Sequence, residues 1–541
     1  MNPHIFRQYD IRGVVSQDLT HEVVVALGRA LGTVAVSRGA KTFGLARDAR
    51  THSPALRDAL AEGLVSCGLE VIDFGLVPTP LLYFSVFHNH LGGGVMITGS
   101  HNPPEFNGFK MMVGHDTLFG EDIQHLRRIM EAGQYVSHEG GSLRQEDILG
   151  PYLRFVEGNL ALGARKLKVV LDAGNGAAGI VADPLVRALG MDVTSLYIEP
   201  DGTFPNHHPD PAEEHNLHDL IEKVRELGAD LGVAYDGDGD RIGVVDERGQ
   251  VMWGDRLMIL LSRAILAESP GATIVGEVKC SQTLYDDIAA HGGHPIMWKV
   301  GHSLIKNKMK ETGAQLAGEM SGHIFFKHRY FGFDDAIYTT ARLLELLSKD
   351  ATPLSERLTG VPVTYATPEL RAEVPDDAKF EVVAHIAKHL KAEHHRVVDI
   401  DGVRVIFEDG WGLIRASNTQ PALVLRVEAH DGQGRALRFV NGPTLPGWGA
   451  TREAGLPGHL YARVWGDLEG GATVDVSRAA GVLYDGRLHA GEHDELHYVF
   501  ELPREAPPQG PAWETRAWLA WRPSWAEEGG EVVVEEDRAS R

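Results

Sequence analysis

The sequence predicts an α/β protein in which several similar α/β units follow one another, with a smaller mixed segment and a β-rich end after them. Three observations lead to this fold class. Short apolar runs alternate with helix-like segments along most of the 541 residues. The alternation pauses and resumes, which favours several sheets over one very large sheet. Polar loops follow directly after apolar runs, as they do at the carboxyl ends of parallel strands.

The first unit begins with a helix after Thr20, a residue suited to cap it, because apolar positions recur at helical spacing from there. Strands and helices then alternate as far as Ser100. In chain order the predicted segments are the helix HEVVVALGRALGTVAVSRG, the strand KTFGLARD, the helix SPALRDALAEGLVSCG, the strand EVIDFG, the helix TPLLYFSVFHNH and the strand GGGVMITG.

The same pattern returns further along the chain. Its predicted strands are found in KLKVVLDAGNGAAG, which precedes an apolar helix, and in LGVAYD, IGVVDE, TIVGEV, PIMWKV and QLAGEM. A segment from about Val361 to Ala429 mixes strands with the helix FEVVAHIAKHLKAE. Pairs of parallel strands joined by helices are expected in the units before it.

The composition changes beyond Ala429. Six of the nine tryptophans lie there, and no lysine follows Lys391. HLYARVWGDL, HYVFEL and TRAWLAW predict strands between Gly- and Pro-rich turns. Large aromatic residues dominate small cores, so we expect these tryptophans to pack inside a β module; a sugar-stacking surface is the alternative.

Bulk properties exclude several function classes. The chain has 43% hydrophobic and 23% charged residues, no apolar run long enough to cross a bilayer, and no signal-like start. Its two cysteines, Cys67 and Cys280, form no CxxC pair. A formal charge of -23 disfavours nucleic acid as a partner. We therefore expect a cytoplasmic protein that binds neither nucleic acid nor membrane.

Four polar loops follow predicted strands: TGSHNP, DGDGDR, GEMSGH and RASNTQP. In DGDGDR, the carboxylates of Asp236, Asp238 and Asp240 alternate with glycines and can point at one hard cation, for which Mg²⁺ is expected. An EF-hand loop is rejected because Arg241 stands where glycine is needed and because the flanking segments are strands. A solvated acidic turn is the remaining alternative.

The loop RASNTQP is suited to bind a phosphate. Arg415 can make a bidentate contact, and Ser417, Asn418 and Thr419 can donate hydrogen bonds. Taken alone, such a polar loop is as often only a turn.

In GEMSGH, Glu319 and Ser321 could hold the hydroxyl groups of a sugar, and His323 could pair with an anion. A Gly-rich loop with a satisfied histidine is the commoner arrangement.

Ser100 does not stand in the usual serine-hydrolase motif, because G-x-S-x-G would need glycine where Asn102 stands. The same unit supplies polar and cationic side chains that suit a doubly anionic ligand: Tyr9, Arg12, Arg47 and Arg50. Beside a cation, the stable state of Ser100 would then be its phosphate ester, ready to donate the phosphoryl group.

The motifs FRQYDIRG, TGSHNPPEFNGFK, FPNHHPDP, DGDGDR, GEMSGH, GFDD and RASNT stand in the order found in the α-D-phosphohexomutases. From about Ile5 to Ala429 the sequence resembles this family, and within it the bacterial phosphomannomutase/phosphoglucomutase group. The resemblance implies three similar α/β/α domains and a smaller α+β domain around a central cleft. Its expected parts are a phosphoserine domain (1–149), a metal-binding domain (150–250), a sugar-recognition domain (251–361), a phosphate-binding domain (362–440) and an atypical Trp-rich extension (441–541).

The resemblance also implies roles for individual residues. Ser100 is similar to the phosphoserine, and a phosphoserine oxygen would complete a Mg²⁺ site with the three aspartates. Lys110 and Arg12 resemble residues near the transferred group, with Lys110 expected to do acid/base work. His101 and Asn102 stand beside the serine, and His101 and His302 are expected among the catalytic residues. Substrate contacts are expected from Tyr9, Lys279 and His302 along the cleft, from Arg241 after the metal loop, and from Glu319, Ser321 and His323 at the sugar. The loop from Arg415 to Thr419 is expected at a phosphate.

The reaction implied is reversible phosphoryl transfer between C1 and C6 of hexose phosphates through a hexose 1,6-bisphosphate. Mannose and glucose phosphates are the expected substrates; a glucosamine or glucose-only mutase is the alternative. A phosphatase and a catalytically silent sugar-binding or scaffold protein are rivals of other classes. The oligomeric state is open, with a monomer favoured.

Two departures from the family pattern stand out. His52 replaces a residue that is often serine, and the run after RVEAHDGQGR is poorly suited to the closing helix of the fourth domain. Turnover of the bisphosphate, as the resemblance implies it, needs the fourth domain to loosen its grip, and we expect the hinge for this movement at residues 361–366.

Overall fold

The computed structural model describes residues 1–367, 369–392, 394–407, 410–418, 420–430, 437–440, 461–464, 472–478, 494–502 and 517–523. It divides the chain into two compact units, residues 1–361 and 362–541. Mixed α/β architecture with several sheets confirms the predicted fold class.

The first sheet has the order β1-β5-β4-β2-β3-β7, and β6 pairs with β5. Strands β4, β2, β3 and β7 are adjacent in this order, and each is parallel to the next. Strand β5 is antiparallel to both β1 and β4. Its strands are β1 (Ile11–Val14), β2 (Thr42–Arg47), β3 (Glu70–Leu76), β4 (Gly93–Ile97), β5 (Phe106–Val113), β6 (Asp116–Thr117) and β7 (Ser142–Gln145). Its helices are α1 (His21–Ser37), α2 (Ser53–Ser66), α3 (Thr79–His88) and α4 (Glu121–Ala132).

The predicted elements of this unit are present. The hydroxyl of Thr20 accepts a hydrogen bond from the amide of Val23, so Thr20 caps α1 as expected. Apolar residues on the inner faces of α1 and α2 pack against the buried strands of the sheet. The strand β4 is buried along its whole length, as a central parallel strand must be.

Two further sheets follow in the same compact unit. The second has the order β12-β11-β10-β8-β9 and the third the order β14-β13-β15-β16. The second is formed by β8 (Lys168–Asp172), β9 (Asp192–Leu196), β10 (Leu231–Tyr235), β11 (Ile242–Asp246) and β12 (Val251–Met252), with α5 (Leu149–Asn159), α6 (Gly179–Ala188) and α7 (His218–Leu227). The third is formed by β13 (Thr273–Glu277), β14 (His294–Trp298), β15 (Leu316–Gly318) and β16 (Ile324–Phe326), with α8 (Gly254–Glu268), α9 (Gln282–Ala290), α10 (His302–Thr312) and α11 (Ala336–Leu347).

The three sheets share one local arrangement that places the functional loops. In each, a parallel strand is followed in sequence by an antiparallel neighbour: β4 by β5, β10 by β11, and β15 by β16. The loop between β4 and β5 contains Ser100, and the loop between β15 and β16 contains Glu319. The loop between β10 and β11 consists of residues 236–241, the metal loop. The three loops therefore occupy equivalent positions in three similar units.

Residues 362–430 form an antiparallel sheet of order β17-β22-β21-β20-β19, in which β18 also pairs with β22. Helix α12 packs against it through Val383, Ile386 and Leu390. The elements are β17 (Thr364–Ala366), β18 (Leu370–Glu373), α12 (Lys379–Ala392), β19 (Arg396–Val398), β20 (Val403–Ile406), β21 (Gly410–Ala416) and β22 (Ala422–His430).

The described part of the tail is a fifth sheet of order β24-β23-β25-β26-β27. Its strands are β23 (Leu437–Val440), β24 (Tyr461–Val464), β25 (Ala472–Arg478), β26 (Asp494–Leu502) and β27 (Ala517–Pro523). The predicted strands in HLYARVWGDL, HYVFEL and TRAWLAW correspond to β24, β26 and β27. Two expectations fall largely outside the described residues. One is that the run after RVEAHDGQGR is poorly suited to form the closing helix of the fourth domain, and the other is that the tail's tryptophans pack inside a β module. Among the described helices, none has the length and apolar character to cross a membrane.

Candidate active site

Ser100 lies in the loop between β4 and β5 with a left-handed backbone (φ 49°). Residues other than glycine rarely adopt this conformation, so the surrounding contacts must hold it. Buried Arg50 does so by donating to the carbonyl oxygens of Ser100 (2.8 Å) and Pro103 (2.6 Å). The sequence placed Arg50 among the cations for an anionic ligand, but its guanidinium binds this loop.

The side chain of Ser100 faces the metal loop. Its Oγ donates to Oδ2 of Asp236 at 2.8 Å, and only 3% of the residue is exposed. The backbone of the loop approaches as closely: a Cβ added to Gly237 would lie 2.5 Å from the carbonyl oxygen of Ser100. Glycine at position 237 is thus required for the two loops to meet.

Three aspartates of the metal loop are fully buried: Asp236, Asp238 and Asp240. One oxygen from each lies within 4.8 Å of the others. Oδ1 of Asp236 accepts from the amides of Asp240 and Arg241, both at 3.1 Å. Burial and the charges of its two aspartate neighbours raise the pKa of Asp236 well above its usual range. The loop therefore concentrates more negative charge than it can hold without a cation nearby.

Lys110, on β5, is the nearest cation to these carboxylates. Its Nζ donates to Oδ2 of Asp238 at 2.7 Å and to Oδ2 of Asp240 at 2.5 Å. Burial opposes the ammonium form, but the two carboxylates outweigh it and raise the pKa of Lys110 well above its usual range. One lysine does not balance three carboxylates, and the charges of Arg241 and His323 act on them as well.

The free carboxylate oxygens match a divalent cation. Oδ1 of Asp238 is buried without a hydrogen-bond partner among the described residues. Oδ1 of Asp240 lies 3.3 Å from Nε2 of His323 and accepts no other hydrogen bond there. Hard carboxylate oxygens of this kind are the ligands Mg²⁺ prefers, so the residues present fit the predicted metal site.

His101 follows Ser100 and is held by a residue of the next unit. Its Nδ1 lies 2.7 Å from Oδ2 of Asp210, which belongs to the loop FPNHHPDP. Burial and the charge of Arg241 lower the pKa of His101 to about 4. At neutral pH the ring is therefore uncharged, with its proton on Nδ1 toward Asp210.

Arg12 approaches the same loop from β1. It donates from Nη1 to Oδ1 of Asn102 at 2.6 Å and from Nη2 to Oδ2 of Asp10 at 2.5 Å. His52, the departure from the family pattern, contacts the carbonyl oxygen of Pro104 at 3.0 Å through Nε2. Both side chains thus support the loop that carries Ser100.

The loop after β15 joins this group through His323. Nδ1 of His323 lies 2.6 Å from Oε2 of Glu319, and Oε1 of Glu319 accepts from the amide of Gly301 at 2.6 Å. Burial lowers the pKa of His323, but Asp240 and Glu319 together raise it to about 9. Nε of Arg241 lies 3.2 Å from Nε2 of the ring, a contact that would need a free lone pair. Because two carboxylates flank the ring, we take the imidazolium as its form at neutral pH.

The remaining residues predicted for the third unit lie nearby. Ser321 Oγ is 3.4 Å from Nδ1 of His323, and His302 and His323 have ring centroids 5.7 Å apart. Tyr9 donates from its hydroxyl to the carbonyl oxygen of Val300 at 2.8 Å. Lys279 is nearly buried, with Nζ 3.7 Å from Oε1 of Glu277. Ser100 and Lys110 of the first α/β unit and His323 of the third thus meet at the aspartates of the metal loop in the second.

The predicted phosphate loop lies between β21 and β22 of the second compact unit. Arg415 is buried at its start, with Nη2 3.0 Å and Nε 3.2 Å from Oδ2 of Asp401. Ser417 accepts from the amide of Gln420 at 3.2 Å, and Asn418 follows it. Thr419 lies outside the described residues. A carboxylate therefore holds the Arg415 side chain in place, as expected for an arginine that binds a phosphate.

Most of this chain is similar in sequence to known proteins. It is 50% identical over 427 residues to a phosphomannomutase/phosphoglucomutase of Pseudomonas aeruginosa, a match that covers 79% of this chain and 91% of the relative. A phosphoglucomutase of Neisseria meningitidis is 46% identical over 440 residues, which cover 81% and 95% of the two chains. Four phosphoglucomutase/phosphomannomutase domain descriptions match in order: α/β/α domain I (3–136), α/β/α domain II (151–249), α/β/α domain III (253–365) and the C-terminal domain (369–440).

The chain belongs to the phosphoglucomutase/phosphomannomutase family. The family predicted from the motifs is thereby confirmed. A crystal structure of a phosphoglucomutase/phosphomannomutase family protein from Burkholderia thailandensis has a TM-score of 0.76 at 43% identity, covering 80% of this chain and 94% of that one. The parafusin phosphoglucomutase of Paramecium, at 16% identity and a TM-score of 0.64, shares the fold over 79% of this chain and 90% of that one.

Three buried residues that contact the candidate site were missed from sequence. Asp210 and Asp334 stand in the motifs FPNHHPDP and GFDD, which served to identify the family but gave no partner for either side chain. Thr79 stands in no motif that we singled out. Each contacts a site residue distant in sequence, and such a partner becomes visible only in the folded chain: Asp210 contacts His101, Asp334 lies 3.7 Å from Nδ1 of His302, and Thr79 contacts Asp238.

Proposed function

We propose that this chain catalyses reversible phosphoryl transfer between C1 and C6 of hexose phosphates, with Ser100 as the residue that carries the phosphoryl group. The observation that supports the proposal most directly is the contact of 2.8 Å between Oγ of Ser100 and a buried carboxylate of the metal loop. The relatives named phosphomannomutase/phosphoglucomutase point to the same activity.

A divalent cation, for which Mg²⁺ is the natural choice, would be held by Asp236, Asp238 and Asp240. When bound, it would neutralise charge on the transferring phosphoryl group. The free Oδ1 atom of Asp238 supports this assignment, because a buried carboxylate oxygen without a partner is costly.

In the proposed transfer, the free hydroxyl of a hexose phosphate attacks the phosphorus of phospho-Ser100. The new P–O bond forms as the bond to Oγ of Ser100 breaks; a base takes the hydroxyl proton, and Oγ of Ser100 takes up a proton in its place. The product is a hexose 1,6-bisphosphate, and its other phosphate returns to Ser100 in the second half of the cycle. Phosphoryl transfer requires mainly positioning and charge neutralisation, which the buried cations of this site supply.

Lys110 is our choice for acid/base work. In the arrangement seen here it carries its proton and can donate it, because Asp238 and Asp240 stabilise the ammonium. It could accept a proton only if those carboxylates shared their charge with a cation. His302, buried and with a pKa well below its usual range because of burial and the charge of Lys306, would remain neutral beside it.

The sugar and its second phosphate need separate contacts. Glu319 and Ser321 would bind sugar hydroxyls, with His323, Tyr9, Arg241 and Lys279 as further contacts to substrate. The loop at Arg415, with Ser417, Asn418 and Thr419, would bind the phosphate that is not being transferred, in either orientation of the bisphosphate. Residues 361–366 would form the hinge that allows the intermediate to turn over. The cytoplasmic location and the monomeric state remain predictions.

A coupled assay tests the proposal. Mannose 1-phosphate, glucose 1-phosphate and glucosamine 1-phosphate are supplied in turn with Mg²⁺ and a trace of hexose 1,6-bisphosphate. We expect turnover of the mannose and glucose compounds, since sugars that differ at one carbon are separated by only a few hydrogen bonds. Preferential turnover of glucosamine 1-phosphate would reassign the substrate. Release of free phosphate in place of isomerisation would identify a phosphatase, and no reaction at all would favour the sugar-binding alternative.

A further inference from the structure

We propose that Thr79, the first residue of α3, is a positioning residue for the cation of the metal loop. It orients Asp238 so that one carboxylate oxygen, Oδ1, is left for the ion. The inference rests on the proposed metal site and adds a residue of the first α/β unit to it.

Two hydrogen bonds join Thr79 to Asp238. The hydroxyl of Thr79 donates to Oδ2 of Asp238, and the amide of Thr79 donates to the carbonyl oxygen of Asp238 at 2.8 Å. Both residues are fully buried. One bond fixes the backbone of the metal loop, and the other fixes the rotation of the carboxylate.

The two oxygens of Asp238 are consequently unlike. Oδ2 accepts from both the Thr79 hydroxyl and Nζ of Lys110, whereas Oδ1 is buried with no partner among the described residues. A rotation of the carboxylate would break two hydrogen bonds and is therefore resisted. Outer-shell hydrogen bonds of this kind orient metal-binding carboxylates and set their affinity.

The start of α3 is well suited to this task. A Cβ added to Gly239 would lie 3.0 Å from Cβ of Pro78, so the helix start and the metal loop are in direct contact. Threonine is β-branched and has few χ1 rotamers in a helix, which limits the positions its hydroxyl can take. The amide at a helix start has no partner within the helix and is free to bind the loop carbonyl.

A purely structural role for Thr79 makes a different prediction. In Thr79→Val the backbone bond and most of the side-chain volume remain, while the hydroxyl is lost. If the hydroxyl served only stability, the variant would unfold more easily and bind cation as before. If it positions Asp238, cation affinity falls by about 10- to 100-fold, the range typical of lost outer-shell partners.

Binding of Mn²⁺ separates these cases, because this ion favours the same oxygen ligands as Mg²⁺ and is detected by electron paramagnetic resonance. Titrations compare the full chain with Thr79→Val, Thr79→Ser and Asp238→Asn. Thr339→Val is the matched control: Thr339 is fully buried, and its hydroxyl donates to a backbone group, the carbonyl oxygen of Asp335 at 2.7 Å, at the start of α11. Thermal unfolding of every variant is recorded in parallel.

We expect Mn²⁺ binding to be weakened by about 10- to 100-fold in Thr79→Val, to be close to that of the unchanged protein in Thr79→Ser and Thr339→Val, and to be lost in Asp238→Asn. Equal affinity in Thr79→Val and the unchanged protein would overturn the inference, as would equal weakening in Thr339→Val. If Thr79→Val does not fold, Thr79→Ala and Thr79→Ser are compared, and equal Mn²⁺ affinities again overturn it. Failure of the unchanged protein to bind Mn²⁺ would overturn the proposed metal site and, with it, the role of Thr79.

Discussion

Oγ of Ser100 donates a hydrogen bond of 2.8 Å to Oδ2 of Asp236, although the two residues are 136 positions apart in sequence. The contact joins the loop of the first α/β unit to the metal loop of the second. It also defines the unphosphorylated state, in which the serine proton offsets part of the aspartate charge. A phosphate ester on Oγ would replace that proton by negative charge, so the phosphorylated state depends on a cation between the two groups.

Replacement of Ser100 by alanine should reduce kcat by at least about three orders of magnitude, because the phosphoryl carrier itself is lost. Intact-mass measurement of the unchanged protein should find a fraction heavier by one phosphate, and Ser100→Ala should lack it. Ser85→Ala is the control: Ser85 is also buried, but its hydroxyl donates to the carbonyl oxygen of Leu82 within α3. Full activity of Ser100→Ala would exclude the proposed mechanism.

Removal of the divalent cation should suppress turnover, and added Mg²⁺ should restore it. Asp238→Asn should lower kcat by at least about 10²- to 10³-fold, because loss of the cation removes at least one electrostatic contact to the reacting group. Ca²⁺ should substitute poorly because it is larger and accepts looser coordination. Steady-state rates in excess chelator, with and without added metal, test the point. Unchanged rates in chelator would mean that the metal loop is only an acidic turn.

The sequence predicted the loops of the site better than the contacts between them. Alternating apolar and polar segments are local signals, so the strands that precede Ser100, Asp236 and Glu319 could be recognised from short stretches. The partners of these residues could not, because they come from other units. Arg50 shows the limit well: its charge suggested a ligand contact, and only the folded chain reveals the carbonyl oxygens that it binds.

Arg415→Ala should raise KM for mannose and glucose phosphates alike, with a loss of about 1.5–3 kcal/mol of charge-assisted hydrogen bonding. The reason is that a phosphate, common to both substrates, is the proposed partner. Asp401→Asn is an informative companion, since it removes the carboxylate that lies 3.0 Å from Nη2 of Arg415 but leaves the guanidinium. Its effect should be smaller. Initial-rate kinetics on both sugars provide the measurement, and a loss restricted to one sugar would contradict the shared-phosphate role.

The pair His207 and Asp172 should make stability depend on pH. Nε2 of His207 lies 3.0 Å from Oδ2 of Asp172, which is buried. Burial lowers the pKa of His207, but the hydrogen bond and charge of Asp172 outweigh it and raise the pKa above the ordinary 6.5. A raised histidine pKa stabilises the fold fully below the unfolded value of 6.5, and this contribution is lost as pH rises through the higher folded value.

Thermal unfolding measured from pH 6 upward, in about half-unit steps, tests the linkage. The unchanged protein should lose stability above its unfolded histidine pKa, and His207→Gln should show a smaller decline, because the raised pKa of His323 still contributes. His218→Gln, which alters an exposed histidine of the same unit, serves as the control and should follow the unchanged protein. A profile for His207→Gln that parallels the unchanged protein would show that the pair contributes nothing to the pH dependence.

The final prediction concerns the tail. The described loops of the site all precede residue 431, and the match to the family's C-terminal domain ends at residue 440. A chain that ends at Val440 should therefore keep kcat within about threefold of the full chain, equivalent to less than about 1 kcal/mol of barrier.

The strand β23 complicates the choice of end point, because it pairs with β24 and β25 of the tail and would lose both partners. An unpaired strand edge promotes aggregation, so a second chain ending at His430 is compared for solubility and rate. If only the shorter chain is soluble and active, β23 belongs with the tail sheet. If both are inactive or insoluble while the full chain works, the tail completes the fourth domain, and the hinge proposed at residues 361–366 must be redefined to include it.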